Sequence, residues 1–208
     1  MIWDVLTGFE PSLLVAFIAA GLLLNITPGA DFVFVSASGM RGGPRMGMAA
    51  ALGVNLGIVV HVTMAAAGLS AILLARPALY DVIRYAGAAY LLWLAVQAWR
   101  HADDVQEARA AQSLLRAVRR GFLTNVLNPK TALFIFAFIP QFTDPAIGPL
   151  WAQIVVLGAI FTVFGFAFSL CLGAAAGGFA HVLRARAGLL NRVAAVMFAG
   201  LAARLIWD

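Results

Sequence analysis

The sequence predicts an all-α integral membrane protein: six transmembrane helices forming two inverted three-helix repeats, with the first and fourth helices broken near the bilayer centre. Three observations carry that expectation. Of 208 residues, 63% are hydrophobic and 11% charged, with a mean hydropathy of +0.94, whereas soluble domains carry about 25% charged residues. The apolar residues fall into six runs, each near the roughly 20 residues that cross a hydrocarbon core. Two of those runs, the first and the fourth, are interrupted by similar sequence, "NITPGAD" at 25–31 and "NVLNPK" at 125–130.

The expected spans are 13–40, 46–74, 78–99, 121–142, 151–177 and 189–207. Between the third and fourth lies "RHADDVQEARAAQSLLRAVRR", the only long polar segment, which reads as a solvated and partly helical loop. The chain then divides into a first repeat over 1–100, a cytoplasmic loop over 101–117 and a second repeat over 118–208, all within one transmembrane domain. The N-terminus "MIWDVLTGFE" has two acids and no basic residue, unlike a signal peptide, so the first run is expected to stay in the mature protein.

Charge placement orients the spans. Arg41, Arg45, Arg100, Arg109, Arg116, Arg119, Arg120, Arg184, Arg186 and Arg192 fall on one side, and Arg76, Arg84 and Arg204 on the other. Basic residues concentrate in cytoplasmic loops, so both termini are expected outside and the long loop inside. The net charge of +5 is thereby accounted for by topology, and no basic face with interleaved aromatics suggests nucleic acid. Cys171 is the only cysteine and reads as a small helix-packing residue. No cofactor or metal site is expected.

The two interruptions look like copies. "GLLLNITPG" from Gly21 and "GFLTNVLNPK" from Gly121 share glycine, leucine, asparagine and a β-branched residue in register, ahead of a proline one position out of step; "FVF" at Phe32 and "FIF" at Phe134 follow. Three spans per half is an odd number, so the second copy enters the membrane in the opposite direction. Inverted repeats with interrupted helices in matching places mark secondary transporters, and the interruptions point at the substrate site.

The breaks carry helix-start chemistry. Thr27-Pro28 and Asn128-Pro129 each place an N-cap residue before a proline at the first helical position. Asp31 lies ten residues before Arg41 and Lys130 ten after Arg120, so each is about 15 Å deep if helical. Two half-helix N-termini at one level suit a carboxylate. Lys130, opposed by its own helix dipole, needs either Asp31 or a bound anion as partner.

At these residues the chain resembles the lysine exporter superfamily, LysE/RhtB type. The resemblance rests on "ITPGAD" at 26–31, "GMAAALGVNLGIVVH" at 47–61, "AGAAYLLWLA" at 86–95 and "GFLTNVLNPKTALFIFAFIPQF" at 121–142. It implies an inner-membrane exporter of amino acids and related small metabolites, driven by an ion gradient. One departure is that Ala30 stands where the family usually has a second proline.

The residues expected to bind substrate or couple ions are Asn25, Thr27, Pro28, Gly29, Asp31, His61, Asn125, Asn128, Pro129 and Lys130. Asp31 and Lys130 follow because intramembrane charges default to function. Each of the others has a structural alternative. Asn25 and Asn125 could simply bond helices together, Thr27 and Asn128 serve first as caps, and His61 could be an interhelical histidine rather than a proton relay. Gly53 and Gly57 match small-xxx-small packing. Trp99, Trp151 and Trp207 are interfacial anchors.

The expected function is therefore secondary-active export of amino acids or related small carboxylate-bearing metabolites by alternating access. Protons are the expected coupling ion and the lipid bilayer the surroundings, in a bacterial-type plasma membrane; small-residue faces permit a homodimer. The rival is an intramembrane, hydrolase-like enzyme using Asp31, which would need a second acid, a Ser–His pair at depth or metal ligands. The sequence does not specify which amino acid is moved.

Overall fold

The computed structural model describes residues 2–69, 78–100, 113–175, 182 and 185–207. Among them the chain is helical, with no strand. Helix α1 (Ile2–Gly8) bends by 95° into α2 (Pro11–Ile26), which starts with proline at its first position. The sequence pointed to a span from 13, and this elbow was not expected.

The first break is real and spans Thr27, Pro28 and Gly29. Thr27 is extended (φ −62°, ψ 121°) because the ring of Pro28 disfavours the helical region for the residue before it. Helix α3 (Ala30–Gly42) follows, then Gly43 at φ +80°, a left-handed conformation that a side chain would resist. Pro44 opens α4 (Pro44–Met64) directly after, and a wider π-type turn extends it over Ala65–Leu69. Helix α5 is Ala78–Arg100.

Helix α6 (Leu114–Val126) begins inside the polar segment, where the Ser113 hydroxyl caps it by accepting from Arg116 N at 3.4 Å. Positions 101–112, most of the expected loop, lie outside the described residues, as do His101, His181, Arg76, Arg109 and Arg184. The second break is at Leu127–Asn128. Asn128 is extended (φ −84°, ψ 106°) before Pro129, matching Thr27 before Pro28. Helix α7 (Pro129–Leu133) continues through a π-type turn, Phe134–Phe138, and a tight 3-10 turn, Ile139–Phe142. Helices α8 (Leu150–Ala174) and α9 (Ala187–Trp207) complete the described chain.

Among the described residues two helices, Pro44–Gly68 and Leu150–Ala174, are each long and apolar enough to cross a bilayer, with mean hydropathies of 1.8 and 2.5. The bent pairs Ile2–Gly8 with Pro11–Ile26 and Leu114–Val126 with Pro129–Phe142, the latter bent by 53°, bring the number to four if each pair is one span.

Helix α4 packs against α3, α6 and α8. Lipid gives no hydrophobic drive for helix association, so close van der Waals approach must supply it. Glycine provides that approach: a Cβ at Gly53 would run into the Val118 carbonyl, one at Gly121 into the Ala50 carbonyl, and one at Gly57 would stand 2.6 Å from Asn125 Oδ1. An aromatic cluster joins α2, the α7 extension and α8, with Phe17–Phe142 at 5.2 Å, Phe134–Phe138 at 4.5 Å and Phe134–Phe161 at 5.1 Å between ring centroids. Buried Gln153 holds the turn before α8, accepting from Asp144 N at 2.9 Å and donating to Asp144 O at 2.8 Å and Gly148 O at 2.7 Å.

Candidate functional site

The two breaks meet, and each is completed by the other. In an unbroken helix the Leu24 carbonyl would accept from the N–H of residue 28, and the Asn125 carbonyl from that of residue 129. Both positions are proline, so neither carbonyl has that donor, although Asn125 O still accepts from Asn128 N at 2.8 Å. Lys130 Nζ takes the first, donating to Leu24 O at 2.8 Å and Thr27 O at 2.9 Å. His61 Nε2 takes the second, 3.1 Å from Asn125 O. The opposite half of the chain thus satisfies the orphaned Leu24 carbonyl and gives the Asn125 carbonyl a second partner.

Asp31, in the first turn of α3, joins the halves again. Its Oδ2 accepts from Asn128 Nδ2 at 2.8 Å, Asn125 Nδ2 at 2.9 Å and Thr131 Oγ1 at 3.2 Å, all in the second half. A buried carboxylate needs such donors. Its Oδ1 is buried with no partner, as is Asn125 Oδ1. His61 is buried, its ring edge-on to Phe136 at 6.3 Å. Because Nε2 faces a carbonyl it carries the hydrogen. Nδ1 is then the other ring nitrogen, buried and unpartnered.

Lys130 and Asp31 therefore do not form the direct ion pair that their depths suggested. The C-terminal carbonyls of α2, the negative end of its dipole, are a nearer and already orphaned partner for the ammonium. Thr27 also differs from expectation. It ends α2 rather than starting α3, its hydroxyl donating to Leu23 O at 2.6 Å, and Pro28 stays outside α3, whose N-cap is Gly29. Asn128 does cap α7, its Oδ1 accepting from Lys130 N at 3.0 Å, with Pro129 at the first helical position. So one half-helix start is capped by a side chain and the other is not.

Of the expected residues, Thr27 (through its carbonyl), Asp31, His61, Asn125, Asn128 and Lys130 share one network. Gly29 lies beside it, where a Cβ would stand 3.4 Å from Lys130 Nζ. Asn25 turns away, donating to Gly21 O on its own helix at 2.8 Å and facing Gly165 of α8. Thr131 and the Leu24 carbonyl were missed. The second was within reach, since a helical carbonyl four residues before a proline loses its i+4 donor. No group of three or more His, Cys, Asp or Glu side chains able to hold a metal comes together among the described residues.

The family model for LysE type translocator matches residues 22–208. The chain is 31% identical over 145 residues to a homoserine/homoserine lactone efflux protein of Salmonella typhimurium, covering 69% of this chain and 70% of that protein. It is 29% identical over 195 residues to a leucine efflux protein of Enterobacter sp. (strain 638), covering 91% and 92%, and 30% identical over 145 residues to an uncharacterized membrane protein of Vibrio cholerae, covering 69% and 70%. No solved structure matches. With a match that takes in both breaks and nearly the whole chain, this protein belongs to the LysE type translocator family, whose members are transporters rather than enzymes.

Proposed function

We propose that this chain exports amino acids or closely related small metabolites across a bacterial-type plasma membrane, as a secondary transporter coupled to protons. The observation that carries the proposal is the reciprocal docking of the two breaks. A carboxylate and an ammonium sit at interrupted helices, each held by groups from the other half. Rocking one half against the other would exchange those contacts together, which is what alternating access around a fixed site requires. The relatives named for leucine and for homoserine efflux support amino-acid cargo.

In this reading the chain crosses the membrane six times as two inverted three-helix repeats, α2–α3 and α6–α7 being the broken spans. A direct test feeds cells leucine-containing dipeptides or homoserine, with and without the protein. Lower intracellular amino acid is expected, with more of the same amino acid, chemically unaltered, in the medium. Equal internal pools at confirmed expression would count against export, and a chemically altered product would point to the enzyme alternative.

Orientation follows from the basic residues, with both termini outside and 101–117 cytoplasmic. In a Cys171→Ser background, an impermeant thiol reagent applied to intact cells should label a cysteine placed at Trp207 and spare one at Ala110. The opposite pattern inverts the topology.

A further inference from the structure

Asp31 is loaded on one side only. Three donors fix Oδ2, while Oδ1 is buried and has none. Lys130 does not fill the gap, because its ammonium is bonded to the Leu24 and Thr27 carbonyls. A second acceptor, Asn125 Oδ1, is likewise buried without a donor, on the residue whose Nδ2 already faces Asp31. The break thus holds a carboxylate oriented by its neighbours, with one oxygen unsatisfied and the nearest fixed cation tied elsewhere. The missing complement is a positively charged group that brings several N–H donors, which describes a primary ammonium.

We propose that Asp31 Oδ1 receives the α-ammonium group of the cargo, so that the exporter selects its substrates by their amine more than by their carboxylate. This rests on the amino-acid export reading above and goes beyond it, since the sequence had suggested a site built for an anion. The three bonds to Oδ2 are what make the choice selective. They come from both sides of the second break, Asn125 at the end of α6 and Asn128 and Thr131 at the start of α7, so the carboxylate is already oriented when the ammonium arrives. Because Oδ1 is buried here, cargo reaches it only when the packing around it opens, which ties recognition of the amine to the movement of the halves. The cost of an unpaired buried carboxylate oxygen favours the loaded site over the empty one.

The test uses the intact protein in proteoliposomes, with counterflow of labelled leucine and of labelled homoserine as probes. Two competitors separate the ends of the molecule: leucinamide keeps the ammonium and lacks the carboxylate, and 2-hydroxy-4-methylpentanoate keeps the carboxylate and lacks the amine. Leucinamide should inhibit about tenfold to a hundredfold more strongly, the worth of one charge-assisted hydrogen bond. Asp31→Asn should remove that preference while Asp31→Glu retains part of it, a change that a purely structural role would not produce. Equal or stronger inhibition by the hydroxy acid in the wild-type protein overturns the ammonium assignment and leaves export standing. Absence of counterflow with both probes overturns the export reading for these substrates, and the assignment with it.

Discussion

Lys130→Met is expected to reduce export to background and to lower the amount of folded protein in the membrane. The substitution leaves Leu24 O and Thr27 O without the donor that Pro28 cannot supply. A buried polar group left unsatisfied costs about 1–3 kcal/mol, and in lipid no water reaches the carbonyls to replace the lysine. Lys130 is also the one lysine or arginine among the described residues of this network, so Met removes the fixed positive charge nearest Asp31 and its buried amides. Lys130→Arg should rescue poorly: the guanidinium is a broad planar fork where a compact ammonium fits, and the backbone at Gly29 is close enough that even a Cβ there would stand 3.4 Å from Nζ. Export assays normalised to membrane abundance decide the matter. Wild-type export by Lys130→Met at equal abundance would make the lysine a structural passenger.

The same residues show what the sequence could and could not tell. Pre-proline sterics act locally, so both breaks were legible, and so was the cap that Asn128 places on α7. Thr27 looked like the same kind of cap, but Pro28 is followed by Gly29 rather than by a helix former, and α3 starts two residues later than its counterpart pattern suggests. Asp31 and Lys130, expected at one level, do join one network. What the expected depth could not supply was the direction of each side chain. The ammonium went to carbonyls orphaned by a proline, and the carboxylate went to Asn125, Asn128 and Thr131, which are contacts across roughly a hundred residues of sequence.

The elbow between α1 and α2 was illegible for a different reason. Phe9 and Glu10 carry no strong breaker, and only Pro11 hints at a new helix start. The role of His61 was half legible. Its depth and its glycine-lined face suggested an interhelical histidine, and the structure provides the partner, the Asn125 carbonyl, which Asn128 N shares. Counting four residues back from Pro28 marks Leu24 as a carbonyl in need of a donor and so points toward Lys130, whereas the Asn125 carbonyl, four before Pro129, keeps the Asn128 N–H as well as His61.

Gly53→Val and Gly121→Val should each be more damaging to folding than any substitution in the polar network. At both positions the added Cβ meets backbone of the facing helix, the Val118 carbonyl in one case and the Ala50 carbonyl in the other, so no rotamer change can relieve the clash. Helices α4 and α6 would have to separate, whereas overpacking that side chains can absorb costs about 1–3 kcal/mol. Separation would also reach the site, because the same seam carries Gly57 against Asn125 and the His61 bond to the Asn125 carbonyl. The expected outcome is little protein recovered from the membrane, with a lowered melting temperature in detergent for what remains. Gly200→Val in α9 is the control, since nothing lies within 4 Å of a Cβ built there, and it should be recovered at wild-type levels. If Gly53→Val melts like wild type and exports normally, α4 and α6 do not touch backbone to backbone, and the frame that aims Asn125 at Asp31 must be built differently.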